Sequence, residues 1–121
     1  MLAFYERKEQ GALRDMWVLP LAGERTPVPF LVTPFNERSP MFSPDGRWLA
    51  YVSDESGRDE VYVRSYPETG KKVPISAEGG TDPVWSKNGR ELFYRSGDSL
   101  MAAPVKTGTA FTVSKPQKLF E

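Results

Sequence analysis

One segment of this 121-residue chain occurs twice in closely similar form. Residues 40–53 read PMFSPDGRWLAYVS, and residues 83–96 read PVWSKNGRELFYRS. The two copies align without a gap at an offset of 43 residues, and seven of their fourteen positions are identical. A repeat of about 40–45 residues with several strands in each copy is typical of units that stack on one another as β-propeller blades do. The repeat constrains the architecture more tightly than the function, because function resides in the loops that such a scaffold carries.

Each copy predicts a tight turn between two β-strands. In the first copy, Pro44 presets φ, Asp45 caps the backbone locally and Gly46 supplies conformational freedom. The second copy has Asn88-Gly89 in the same place, which is also a favoured turn pair. The segments beside the turns are rich in aromatic and β-branched residues, which favour strands. The predicted strands cover residues 39–42, 48–52, 60–64 and 72–75 in the first copy, and 82–85, 91–95 and 100–103 in the second.

A shorter unit precedes these two. Residues 2–6, 15–19 and 28–32 match the second, third and fourth strands of a blade, and nothing before Leu2 supplies the innermost strand. Residues 110–113 and 117–120 are both candidates for the last strand of the chain. We expect an all-β fold of antiparallel four-stranded blades, a partial β-propeller of about 11 strands and just under three blades. Its expected units, within one domain, are residues 1–35, 36–78 and 79–121.

The composition excludes several kinds of site. The chain has no Cys and no His, so disulfides, thiolate metal sites and a Ser-His-Asp triad cannot be built from it alone. Its 16 basic and 16 acidic residues cancel, so no overall attraction to nucleic acid or anionic lipid is expected. No apolar run approaches the roughly 20 residues that span a bilayer, so no direct membrane insertion is predicted. We expect neither enzymatic activity nor a cofactor or metal site.

The first copy resembles the TolB-type β-propeller repeat. Residues 43–51 read SPDGRWLAY, and DEVYV follows at 59–63. That family is marked by a Ser-Pro-Asp-Gly-Lys/Arg turn, an apolar and aromatic strand, and an acidic residue that opens the next strand. The second copy departs from the pattern at Lys87-Asn88, which form a chemically equivalent turn. The resemblance covers nearly the whole chain and is specific for the blade type.

The resemblance implies three possible hosts for such blades. They occur in periplasmic TolB-like proteins that act through protein contacts, in bacterial membrane serine/threonine kinases, and in the substrate-gating propeller of prolyl-oligopeptidase-type serine peptidases. The sequences at residues 35–40 and 65–70 most resemble the kinase-attached version. We expect a non-catalytic interaction or sensor module that binds a protein or peptide through its loop face or channel, with the peptidase propeller as the alternative. A periplasmic or extracytoplasmic location is implied by the resemblance alone.

Three residues near the turns are candidates for contact with a partner. Arg47 and Arg90 follow equivalent turns and can line a binding face, although a structural role, in which they pair with carboxylates of a neighbouring blade or lie over an aromatic ring, is the favoured interpretation. Trp48 stands where the other copy has a glutamate, which predicts a partly exposed position and a partner contact, beside the alternative of packing. Trp17 and Trp85 are expected to fill the space between blades.

An acidic cluster lies between the second and third predicted strands of the first copy, at Asp54, Glu55, Asp59 and Glu60. Oxygen-rich loops can hold Ca²⁺, but the spacing is not that of an EF-hand, and Arg58 lies among the acids. A solvated loop is therefore the favoured interpretation. Asp54 and Glu55 are further candidates for partner contact.

The outer faces of the predicted blades are apolar and lack a capping unit. Stacked repeats need caps or closure for solubility, so the chain is expected either to be an excerpt of a longer protein or to self-assemble. Two copies would supply nearly the strands of a six-bladed ring, and two-fold dimers are the commonest closed assemblies. We therefore expect a homodimer formed through the uncovered blade faces.

Overall fold

The computed structural model describes residues 2–7, 14–19, 28–31, 37–66, 72–107 and 111–120, with side chains from residue 37 onward except that of Phe120. The described residues form three antiparallel sheets, and the second lies between the other two. The all-β, bladed architecture predicted from the repeat is thereby confirmed. None of the described segments forms a helix long and apolar enough to cross a membrane.

The first sheet has three strands, in the order β1-β2-β3. They are β1 (Leu2–Arg7), β2 (Arg14–Leu19) and β3 (Val28–Leu31). Strands β1 and β2 pair over six residues, and both lie against the first strand of the second sheet. The three strands fall where the sequence predicts the second, third and fourth strands of a blade.

The second sheet is a complete four-stranded blade, in the order β4-β5-β6-β7. Its strands are β4 (Glu37–Phe42), β5 (Trp48–Ser53), β6 (Glu60–Ser65) and β7 (Val73–Pro74). Pro74 lies in the edge strand, where its missing N–H costs no sheet hydrogen bond.

The third sheet repeats this order with β8 (Thr81–Trp85), β9 (Glu91–Ser96) and β10 (Ser99–Lys106). Both candidates for the last strand form, as β11 (Thr112–Val113) and β12 (Gln117–Phe120), and both pair with β10. They share one outer edge in the same antiparallel direction. The third blade is therefore four strands wide, with its outer strand divided into two short pieces.

Pro104 lies at the division between these two pieces. Its carbonyl accepts a hydrogen bond from the N–H of Ser114 on the outer side of β10, while the N–H of Val105 bonds to the carbonyl of Arg90 in the direction of β9. The nitrogen of Pro104, which carries no hydrogen, therefore faces the outer edge, and one hydrogen bond between β10 and the outer strand cannot form there. The outer strand is interrupted there, and β10 runs past the predicted limit at residue 103.

The innermost strands of both complete blades are bulged at the same point of the repeat. Ser39 and Asp82 adopt φ values of 56° and 54°, and each precedes a proline. The pairing register shifts between Arg38 and Met41 in β4, and at the equivalent place in β8. Because a bulge re-aims side chains and bends a strand, the shared geometry sets both inner strands in one shape.

The main core lies between the second and third blades. Alternate residues of β5 and β6 face alternate residues of β9 and β10, and Trp85 is buried among them, as predicted. The side chain of Trp17 lies outside the described residues. The opposite face of β5 and β6 buries a smaller cluster built on Leu49, Tyr51 and Tyr62. The main cluster comprises Ala50, Val52, Val61, Val63, Ile75, Trp85, Leu92, Tyr94, Ala103, Val105 and Phe111.

The connection between the two complete blades is fastened to the second blade by Glu60. This carboxylate is 5% exposed and accepts hydrogen bonds from Ser76 Oγ (2.6 Å), the Gly79 N–H (2.9 Å) and Arg58 Nε (2.8 Å). Ser76 Oγ in turn accepts the Val61 N–H at 2.8 Å. These bonds, which we term the Glu60 anchor, satisfy buried polar groups of the connection that would otherwise lack partners.

Candidate functional site

The turns after the innermost strands lie side by side at one end of the blades. Gly46 and Gly89 have φ values of 73° and 72°, and a methyl group added to Gly89 would lie 3.7 Å from Pro44 Cδ. Because successive strands are antiparallel, the end of β10 is expected at this same end. We term this end the turn face, defined by residues 43–47, 86–90 and 106–107.

Both turns are held by the same hydrogen bonds. Asp45 Oδ1 accepts from Ser43 Oγ at 2.6 Å and from the Arg47 N–H at 3.0 Å. Asn88 Oδ1 accepts the equivalent bonds from Ser86 Oγ at 2.8 Å and from the Arg90 N–H at 2.9 Å. Local turn capping, which the sequence predicts for these positions, is what both side chains do.

Arg47 and Arg90 occupy equivalent, exposed positions on the turn face. In the described part of the chain neither guanidinium has an ion-pair partner, so the pairing with a neighbouring blade that the sequence favours is not formed among these residues. Their contact with a partner remains a prediction. The structure brings them to one face, as the repeat requires.

Trp48 is half-buried between the second and third blades. Its ring centroid lies 5.1 Å from that of Phe111, which also packs edge-on against Trp85 at 6.1 Å. The indole Nε1 of Trp48 is buried and has no hydrogen-bond partner among the described residues. Most of the Trp48 side chain therefore packs between the blades. Contact of Trp48 with a partner is still a prediction.

Asp54 and Glu55 lie at the end opposite the turn face, in the connection from β5 to β6. Glu55 forms an ion pair with Lys72, whose ammonium group also lies 4.9 Å from the centre of the Tyr62 ring. The partner-contact candidates are therefore divided between the two ends of the blades. A single ligand group cannot bridge Arg47 and Glu55 directly.

The two other residues of the acidic cluster, one in this connection and one at the start of β6, have cationic partners. Asp59 pairs with Arg38 at 2.5 Å, and Glu60 forms the buried anchor described above. Within residues 37–66, 72–107 and 111–120, no three acidic side chains converge as a cation site would require. These acids tie the connection to its surroundings.

Two adjoining cavities open at the turn face. The smaller, about 80 Å³, lies between the turns of the two blades and includes Pro44, Asp45 and Thr107 in its wall. The larger, about 460 Å³, is lined by Asn88, Gly89, Arg90, Val105, Lys106 and Thr107. A third cavity of about 400 Å³ lies at the other end, near Tyr94, whose pKa is raised by burial and by nearby carboxylates.

Lys106 and Thr107 are site residues that the sequence analysis did not single out. The sequence predicts that the third strand of this blade ends at residue 103, just before Pro104. In the structure β10 continues through Pro104 to Lys106, and Thr107 follows it. The antiparallel order of the strands could have identified both residues, because the third strand of each blade runs back to the end at which the turn after the innermost strand lies.

Replacing Asp45 with asparagine tests the charge on the first turn. The hydrogen bond from Ser43, with smaller contributions from Arg47, holds the pKa of Asp45 below 3.8. A lowered folded-state pKa stabilises the fold above the unfolded-state pKa, and this contribution is lost as the pH falls through the folded value. We expect Asp45→Asn to lower the melting temperature slightly at pH 7 and by less at about pH 2.5. An equal effect at both pH values in thermal melts would contradict this assignment.

No family model matches the chain. Over 57 residues, 45% of the chain, it is 39% identical to the Tol-Pal system protein TolB of Alcanivorax borkumensis. A solved structure described as TolB from Agrobacterium tumefaciens matches 98% of the chain with a TM-score of 0.69 and 16% identity. The chain spans 13% of the first protein and 45% of the second. These matches show a TolB-like β-propeller fold.

Proposed function

We propose that this chain is a non-catalytic interaction module that binds a protein or peptide through its turn face. The observation that supports this most is the matched geometry of the two turns. Their hydrogen bonds are the same, yet the side chains they present differ, with Lys87 in place of Pro44 and Asn88 in place of Asp45. A rigid scaffold that displays variable side chains on loops is a common basis for recognition.

The similarity to TolB supports the same proposal. The A. borkumensis relative is named as a protein of the Tol-Pal system. We propose that the present blades likewise act through protein contacts, as a segment of a propeller attached to a bacterial membrane serine/threonine kinase. The sequence of the complete parent gene tests the attachment. A kinase domain and a membrane helix would support it, and a downstream α/β-hydrolase domain would favour the serine-peptidase alternative.

A peptide selection tests the binding function. The immobilised chain is exposed to a phage-displayed peptide library, and recovered peptides are measured by fluorescence anisotropy. Because the chain has no Cys, a Lys87→Cys variant can be coupled to a bulky maleimide polymer at the turn face alone. The coupled variant is expected to lose peptide binding. Asp98→Cys, coupled in the same way on an exposed hairpin at the other end, is the matched control and should bind normally.

Three results would overturn the proposed function. These are a library that yields no specific peptide, binding that is unchanged by coupling at Lys87, and cleavage of the bound peptides. Mass spectrometry of the peptide after incubation detects cleavage, which would favour a hydrolytic role. Intact peptides that are blocked only at the turn face are the expected outcome.

We further propose that two copies of the chain associate through their open blade faces. Val84 lies opposite Phe93, and Phe93 opposite Ala102, on the face of the third blade that points away from the second. Val84 is 49% exposed there. One chain matches 45% of the solved TolB structure, so two chains approach the length of that structure. A second copy is therefore the occupant that best fits this face.

Light scattering coupled to size-exclusion chromatography measures the assembly directly. The expected mass is twice the 13.6 kDa of one chain. Val84→Lys should convert the dimer to a monomer, because it places a charge in the apolar contact, whereas Ser56→Lys, at an exposed position in the connection between β5 and β6, should not. A monomer at micromolar concentration, or a polydisperse aggregate, would contradict the dimer.

A further inference from the structure

The two turns of the turn face share a hydrogen-bond pattern but differ in charge. Asp45 and Asn88 each use Oδ1 to accept two hydrogen bonds. This engagement fixes the orientation of the Asn88 amide, so that its Nδ2 group takes the place of the second carboxylate oxygen of Asp45. An acceptor in the second blade is thereby replaced by a donor in the third.

The 460 Å³ cleft beside Asn88 is cationic. Arg90 and Lys106 line it, Thr107 adds a hydroxyl group, and no acidic residue is among the lining residues. Lys87 lies beside Asn88 on the same turn. In the described part of the chain, none of these three cations forms an ion pair. The cleft therefore presents several unpaired donors to solvent.

Two carboxylates lie near this cleft without lining it. Asp45 borders the smaller adjoining cavity, where Ser43 Oγ and the N–H of Arg47 donate to its Oδ1. Glu91 directly follows Arg90 and pairs with Pro104, and it is not among the residues that line the cleft. The three cations Lys87, Arg90 and Lys106 outnumber these two carboxylates, so the surroundings of the cleft keep a net positive charge.

We propose that this cleft binds a carboxylate group of an acidic protein segment. Arginine presents a planar fork of donors that matches a carboxylate, and lysine adds a second positive charge. The volume lies within the range of pockets that hold ligand groups, so a short stretch of acidic side chains fits. This proposal rests on the proposed interaction function and names the chemistry of the partner.

A tetraglutamate peptide is the probe for this site. Titrated into the ¹⁵N-labelled 121-residue chain, it should shift the amide signals of residues 88–90 and 106–107. Arg90→Glu should weaken binding about tenfold, the expected loss for one charge-assisted interaction. Arg47→Glu is the matched control at the equivalent position of the second blade, and it should change the affinity by less than about threefold. Dispersed amide spectra confirm that each variant is folded.

Asn88→Asp provides a second, more conservative test. It keeps the turn hydrogen bonds, as Asp45 shows, while placing a carboxylate beside the cleft. We expect several-fold weaker binding of tetraglutamate without loss of stability. Higher salt should weaken the wild-type complex, since the interaction is largely electrostatic.

Each remaining outcome overturns the proposal. Equal loss in Arg90→Glu and Arg47→Glu would show general charge attraction to the turn face. Inorganic phosphate that binds as tightly as tetraglutamate would assign the cleft to a phosphate group. If library peptides bind at the turn face but tetraglutamate does not shift these signals, the carboxylate site is wrong and the interaction function still holds. If neither binds, both fail.

Discussion

Replacing Trp85 with alanine is expected to lower the free energy of unfolding by about 3–5 kcal/mol. Trp85 is only 8% exposed, and its ring packs edge-on against Phe111, which also contacts Trp48 of the second blade. Its indole N–H donates to the carbonyl of Met41, at 2.9 Å, on the innermost strand of that blade. Alanine would therefore leave a cavity and an unpaired carbonyl at the contact between blades.

Urea unfolding followed by far-UV circular dichroism measures this loss as a lower midpoint with an unchanged slope. Trp85→Phe separates the two contributions, because it keeps an aromatic ring but removes the N–H donor, and should cost about 1–2 kcal/mol. Leu119→Ala is the control, since this large apolar side chain lies on the outer strand β12 and is 49% exposed. A control loss as large as that of Trp85→Ala would show that the contact between blades is not the source of the effect.

Replacing Glu60 with alanine is expected to cost about 2–3 kcal/mol, because it leaves two donors without their acceptor. The buried carboxylate accepts from Ser76 Oγ and the Gly79 N–H, whereas its third partner, Arg58, has a side chain that is 57% exposed. The loss should arise mainly from the buried donors, since the exposed ion pair contributes little. Hydrogen exchange should also become faster at Gly79, whose N–H would no longer be protected.

Glu60→Gln distinguishes the hydrogen bonds from the charge. The amide oxygen of glutamine can accept from Ser76 and Gly79, so this variant should lose less than about 1 kcal/mol. Glu78→Ala, an exposed glutamate on the same connection, is the control and should lie within about 0.5 kcal/mol of the wild type. Equal losses in Glu60→Gln and Glu60→Ala would assign the stabilisation to the ion pair with Arg58 instead.

The repeat predicts the strands well because turn chemistry and strand propensity agree in both copies. The Asx turns at Asp45 and Asn88 have the predicted capping role, and the strands between them have the predicted type and order. The division of the last strand could not be predicted from the sequence. Pro104 alone suggests a strand end, and the directions of the hydrogen bonds beside it are seen only in the structure. Its missing N–H is tolerated because it faces the outer edge.

The candidate site was less predictable from the sequence. Exposed positions for Arg47 and Arg90 follow from the turns, but the packing of Trp48 depends on Phe111, a residue 63 positions away in the chain. The separation of Glu55 from the arginines follows from the antiparallel path of the strands. The role of Glu60 could not be read from an acidic cluster, because burial and the positions of Ser76 and Gly79 determine it.

The Glu60 anchor also determines where this protein can be cut and rejoined with other blades. Backbone hydrogen bonds hold the segment from Ile75 to Gly80 against the second blade, since the N–H groups of Ile75 and Gly80 donate to the carbonyls of Val61 and Asp59. A methyl group on Gly80 would lie 2.6 Å from Ser76 Oγ, so this segment admits no larger residue at its end without displacing the anchor. A chimaera joined between Gly80 and Thr81 keeps the second blade whole, whereas a junction at Ala77 divides it. Exchange of blades between proteins of this kind is therefore structurally simplest at the first residue of an innermost strand.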